Sequence, residues 1–258
     1  MKKGHALAAL VAIAFLLVLI PGCVGRPVTR TEDFTNFDRL DVQNAFDVKI
    51  TQSASFGVTI TTSENLLDYL VVSQEGETLT LKLSPNHPFT DFTLMRKTLK
   101  ARITMPSIRG LSLTGASRGT LTGFESANDL KLVVTGASSL ELNNVEAGDV
   151  ELEVSGASKV NGKLTSGDVT LGMSGASRVE LIGSANDVRT TASGASQVKF
   201  EEFVHKTAKV DLSGASEATI DARDRIDGRL EGASRLFFLD NPVTGDIQVT
   251  GASTIKHK

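Results

Sequence analysis

Tryptophan is absent from this chain, and tyrosine and cysteine occur once each. No stretch is strongly basic, and no sustained 3.6-residue period runs through it. Each gap excludes something. A single cysteine, Cys23, leaves no internal disulfide framework and no cysteine-rich metal site. Net charge −3 over 258 residues, with no basic segment, argues against a surface that tracks phosphates, so no nucleic-acid partner is expected. Few aromatic rings beyond phenylalanine leave few platforms for stacking on sugars. An apolar content of 40 % is low for a compact globule, but the chain is not charged enough to be disordered.

The one long apolar run lies at residues 6–20, behind Met1-Lys2-Lys3. Fifteen residues are short for a membrane-spanning helix, which needs roughly 20, and right for the core of an export signal. The run closes on Ile20-Pro21-Gly22-Cys23, which looks like a lipoprotein processing box, with Cys23 lipidated as the new N-terminus. Pro21 stands where a small or aliphatic residue is usual. Ordinary secretion, or an uncleaved anchor with Cys23 incidental, is the alternative. Losing residues 1–22 removes Lys2 and Lys3 and takes the net charge from −3 to −5. Residues 23–35 read as a tether.

What the chain has in abundance is Gly-Ala-Ser. The triplet begins at Gly115, Gly136, Gly156, Gly175, Gly194, Gly214, Gly232 and Gly251, at gaps of 21, 20, 19, 19, 20, 18 and 19 residues. Aligned on the glycine, positions two before and four before are almost all apolar, as are those four after. Position three after is polar in every copy. Alternation of this kind means half-buried strands. A propeller blade needs roughly twice this period, and an antiparallel meander would invert the column order in alternate copies. The pattern therefore predicts an all-β chain, a parallel β-helix with coils of about 19–20 residues and identical positions stacked about 4.8 Å apart. Glycine then supplies the bend between two strands, with positive φ. The serine either continues the inward parity or is turned outward by the bend.

Residues 36–110 lack the triplet. They alternate as strands, with a turn at Glu75-Gly76 and a short helical or irregular turn at residues 65–69 (NLLDY). Six of the twelve phenylalanines fall at residues 34–92, as expected of a bulkier segment that caps one end. Residues 85–92 (PNHPFTDF) read as a protruding loop. In succession, FDRLDVQNAFDVKITQ, SENLLDYLVV, GETLTLKL and ITMPSIRGLSLTGAS resemble the head GIN domain family, also called "putative auto-transporter adhesins". The resemblance covers roughly residues 36–258. It implies a right-handed parallel β-helix and export with a signal peptide or lipoprotein signal. It carries over no catalytic residue.

Three motifs bear on chemistry. Gly115-Ala116-Ser117-Arg118-Gly119 fits the G-x-S-x-G nucleophile elbow, but the elbow needs a following helix and a histidine partner. Beyond the signal, histidine occurs only at His87, His205 and His257. Asp129, Asp149, Asp168 and Asp187 each lie seven residues before a triplet, so they should stack in one column. Such a column is a calcium candidate. As Asn-Asp or Gly-Asp dipeptides, the same residues are turn formers that bond their own backbone. Hydroxyl residues one before each glycine make an outward column, set beside a mixed one. No cofactor is expected.

The resulting expectation is an exported, lipid-anchored, non-enzymatic solenoid, an adhesin or envelope scaffold with an unnamed surface or envelope partner. A carbohydrate-active β-helix enzyme, lyase or hydrolase, is the alternative. Residues 254–258 end within the last coil, and an open strand edge there could pair with another chain. Lys256 and Lys258 oppose such pairing, so a monomer or weak self-association is expected.

Overall fold

The computed structural model describes residues 26–87 and 98–258. Numbered in chain order, the strands before the first triplet are β1 (Pro27–Glu32), β2 (Arg39–Val42), β3 (Asp47–Gln52), β4 (Gly57–Ser63), β5 (Leu70–Glu75), β6 (Thr78–Leu83), β7 (Leu99–Met105) and β8 (Gly110–Leu113). A 3₁₀ turn at Glu64–Tyr69 joins β4 to β5, as residues 65–69 predict. The repeats follow as β9 (Arg118–Thr122), β10 (Leu130–Val134), β11 (Ser139–Glu146), β12 (Val150–Val154), β13 (Lys159–Thr165), β14 (Val169–Met173) and β15 (Arg178–Ser184). Next come β16 (Asp187–Ala192), β17 (Gln197–Leu212), β18 (Glu217–Leu230), β19 (Arg235–Phe238), β20 (Val243–Val249) and β21 (Thr254–His257).

These strands form a right-handed parallel β-solenoid of about seven turns, as the repeat predicts. Strands before each triplet stack in one parallel ladder, β2-β8-β10-β12-β14-β16, and those after it in another, β3-β9-β11-β13-β15. We call these ladders A and B. The long strands β17 and β18 run through both, so that ladder A ends at β20 and ladder B at β21. Inward positions alternate with outward ones along every coil and are closed from water, for example Leu132, Val154, Val179 and Val198. Burial of this kind supplies most of the folding energy.

The phenylalanine-rich half differs from its expected role in one respect. Its strands β2 and β3 are not a cap but a coil of the same kind, stacked directly on β8 and β9. In this coil Val42 aligns with Leu113 and Asp47 with Arg118, so Asn44-Ala45-Phe46 stands where Gly115-Ala116-Ser117 stands in the next. Asn44 and Ala45 have φ of 60° and 61°. Asparagine is the side chain best suited after glycine to left-handed backbone, which is why the fold survives without the glycine. Beyond this coil, β6 and β7 continue the ladders in parallel, and then the direction reverses. The hairpin strand β5 closes ladder A, turning at Gly76, and β4 with β1 closes ladder B, all antiparallel. Phe37 and Phe56 pack 5.0 Å apart under this cap. Of the loop expected at residues 85–92, positions 88–92 lie outside the described residues. Cys23 does too.

Candidate functional surface

The triplets line one ridge of the solenoid. Each glycine from Gly156 onward has φ between 71° and 79°. A Cβ on Gly156, Gly175 or Gly194 would meet the glycine oxygen of the preceding coil at 2.4–2.5 Å. Those oxygens are in use: Ala157, Ala176 and Ala195 donate their N–H groups to Gly136, Gly156 and Gly175 at 2.8 Å. The serine, left open by the sequence, faces inward. Ser117, Ser138, Ser158, Ser177, Ser196, Ser216 and Ser234 are all buried. Ser117, Ser177, Ser196, Ser216 and Ser234 donate to the carbonyl three residues earlier at 2.7–2.8 Å. Ser138 and Ser158 also accept the N–H of the serine one coil back, at 3.2 and 3.3 Å. Ser117 thus spends its hydroxyl on Thr114 in the core, where no substrate reaches it.

The aspartate column is a second ladder. Asp129 Oδ1 accepts the N–H of Asp149 at 3.0 Å, Asp149 that of Asp168 at 2.8 Å, and Asp168 that of Asp187 at 3.2 Å. Asp187 accepts the Thr207 hydroxyl at 2.8 Å. Stacking is as the spacing predicts, but Asp129, Asp149 and Asp168 each accept a backbone N–H of the next coil rather than one of their own turn. Among the described residues no three His, Cys, Asp or Glu side chains are grouped to hold a metal ion.

Outward faces carry mixed charge, paired in places across neighbouring coils, Lys131 with Glu151 at 2.8 Å and Arg235 with Glu217 at 3.0 Å, and in places along one strand, Arg178 with Glu180 at 3.4 Å. Its bond to Lys131 holds the Glu151 carboxyl below the usual range. A groove of about 930 Å³ runs over the last coils of ladder A, lined by Lys209, Asp211, Asp227, Arg229 and Asp246 among others. Arg225 grips Asp227 with two bonds of 2.6 and 2.7 Å and holds that carboxyl at about 2.

One buried polar group escapes sequence reasoning. His205, 1 % exposed, packs beside the Phe200–Phe203 pair, with Nδ1 2.8 Å from the Phe203 carbonyl and Nε2 without a partner. Burial pushes its pKa down to about 4, with the Phe203 carbonyl and Asp187 opposing and Arg223 assisting. Beside it on the next coil Asp221 is also buried, which raises its carboxyl, while Arg223 draws it back. The available signal was the coil between Gly194 and Gly214, where FEEFVH places two phenylalanines beside the histidine.

A uniform parallel solenoid with an antiparallel cap defines a structural class rather than a chemistry. A family model described as "Putative auto-transporter adhesin, head GIN domain" matches residues 36–242. The chain belongs to this family, as the segment order in its first half implies. Among solved structures it is similar to a "putative adhesin" from Parabacteroides merdae, 17 % identical, covering 91 % of this chain and 97 % of that one, with TM-score 0.83. A "putative lipid binding protein" from Parabacteroides distasonis, also 17 % identical, covers 91 % and 97 % at TM-score 0.78. A "putative adhesin" from the same organism, 16 % identical, covers 91 % and 98 % at 0.76. At such identities these likenesses establish the fold. No curated protein matches the chain.

Proposed function

We propose that this chain is exported, lipid-anchored at Cys23, and acts without catalysis as an adhesin or envelope scaffold. The observation that carries the reading is that the repeat spends its chemistry on itself. The serine hydroxyls bond carbonyls of their own turn, the aspartate carboxylates and the glycine carbonyls bond the adjacent coil, and what is left outward is a rigid, solvated rod. Membership of an adhesin family supports the same reading. The apolar run at residues 6–20 ending at Cys23 supports anchoring. Lys256 on the last strand and Lys258 just after it discourage edge pairing, which supports a monomer or weak self-association.

The test joins a deletion strain with the purified protein. Loss of surface attachment or envelope integrity on deletion, with no turnover of a polysaccharide panel, is the expected result. Normal attachment together with turnover of any polysaccharide would favour a carbohydrate-active enzyme instead.

A further inference from the structure

We infer that the anchor-proximal end of ladder B is a docking face for an anionic membrane surface, an inference that rests on the anchoring proposed at Cys23. Strand registers fix two outward rows on this face. In one, Thr29 of β1 aligns with Thr61, Thr61 with Lys100, Lys100 with Asp47 and Asp47 with Arg118. In the other, Thr31 aligns with Thr59, Thr59 with Arg102, Arg102 with Lys49 and Lys49 with Thr120. The residues between them on β4, β7 and β3, namely Ile60, Ala101 and Val48, are buried, so both rows face solvent there.

Four cations and one carboxylate give this small area a charge of +3, on a chain of net charge −3. Lys49, Lys100, Arg102 and Arg118 are exposed, and among the described residues none of them has an ion-pair partner, unlike Lys131 or Arg235 farther along the rod. Arg102 lies directly opposite Lys49, an arrangement that repels unless an external anion intervenes. The nearest acid on the edge strand, Glu32, is taken by Arg30 at 2.8 Å. Threonines rather than bulky side chains flank the cations, so the face is flat.

Its place relative to the anchor selects the occupant. The tether enters the fold at Pro27 on β1, the outermost strand of this ladder. Residues 23–26 span at most about 14 Å. Lys100 and Arg102 stand two strands from β1 and Lys49 three, roughly 10 and 14 Å away. A lipid at Cys23 therefore holds these cations within reach of headgroups, where each basic residue strengthens contact with an anionic leaflet by about fivefold. The rod would then lie with this side of ladder B down and its other sides displayed.

The mature chain, isolated from membranes, is placed on vesicles of phosphatidylcholine alone or mixed with phosphatidylglycerol, and its lysines are acylated and read by peptide mass. Lys49 and Lys100 should react about fivefold more slowly on the anionic vesicles, with the difference removed by high salt. Lys131 and Lys209, on the outward side of ladder A, should react alike on both. Equal rates at Lys49 and Lys100 on the two vesicles, with the protein bound to each, would overturn the docking face while leaving the anchor standing. Protection by a soluble acidic polysaccharide but not by vesicles would assign the face to a polymer and overturn it too. If the chain carries no lipid, co-flotation with anionic vesicles alone must be salt-sensitive and lost in a Lys49→Ser/Lys100→Ser/Arg102→Ser variant. Absence of that co-flotation would sink the face independently of the anchor.

Discussion

Replacing Gly156 by alanine perturbs the triplet ridge at its tightest point. Gly156 has φ +78°, and an added Cβ would stand 2.4 Å from the Gly136 oxygen. That oxygen already accepts the Ala157 N–H at 2.8 Å, so room is made only by stretching the bond between coils. Holding alanine in left-handed backbone costs about 1–2 kcal/mol, and weakening the bond adds about 1 kcal/mol. The expected loss is about 3 kcal/mol. Gly136 separates the two contributions. Its φ is +81°, but a Cβ there meets only the Gly115 nitrogen at 3.3 Å, so Gly136→Ala should lose about 1–2 kcal/mol from backbone strain alone. Lys159→Ala, on the exposed side of ladder B, should stay within about 0.5 kcal/mol. Urea titration of the three variants reads the order directly. Equal losses at Gly156 and Lys159 would refute the alignment of the triplets, and equal losses at Gly156 and Gly136 would refute the carbonyl contact.

Acid should expose the buried histidine. The pKa of His205 is held at about 4 in the fold against an unfolded value of about 6.5. Its contribution is therefore full above the unfolded value and is lost as pH falls from there towards 4, by about 3 kcal/mol. Denaturant titrations at both ends of that window should show the loss in the native chain and a shallower slope in His205→Phe, whereas parallel slopes would contradict it. In the aspartate column, Asp149→Ala removes the acceptor of the Asp168 N–H and should lower the melting midpoint by roughly 2–4 °C, while Asp149→Asn, which keeps an acceptor, should change it little. Chelator should shift the native midpoint by less than about 5 °C, and a larger fall would mean a bound cation. Asn44→Gly restores the triplet's glycine but deletes the acceptor of the Leu83 N–H at 3.0 Å. A net loss of about 1 kcal/mol is expected, and a gain in stability would show that backbone strain at Asn44 outweighs that bond.

Much of the fold was legible because a parallel solenoid writes itself as a column. Leu132, Leu152 and Leu171 occupy one stacked position, and so share both spacing and chemistry. The coil of β2 and β3 was not legible by that route, since asparagine replaces glycine and phenylalanine replaces serine at its turn. The registers of β2 and β3, together with the φ values of Asn44 and Ala45, reveal the equivalence. Strand direction in the cap was equally hidden, because β4 and β5 alternate as the parallel strands do. The serine orientation depended on whether the glycine bend flips parity, a backbone property that no side chain records. The docking face was invisible for a different reason. Lys49, Lys100, Arg102 and Arg118 are scattered over seventy positions of sequence and meet only through the registers of β3, β7 and β9.

The proposed export and anchoring at Cys23 would join the rod to a surface, and the mature N-terminus tests them most directly. Mass spectrometry of the protein from the membrane fraction should find the chain beginning at Cys23, carrying the added mass of a lipid. A mature chain beginning beyond residue 23, recovered without lipid in the soluble fraction, would contradict the account.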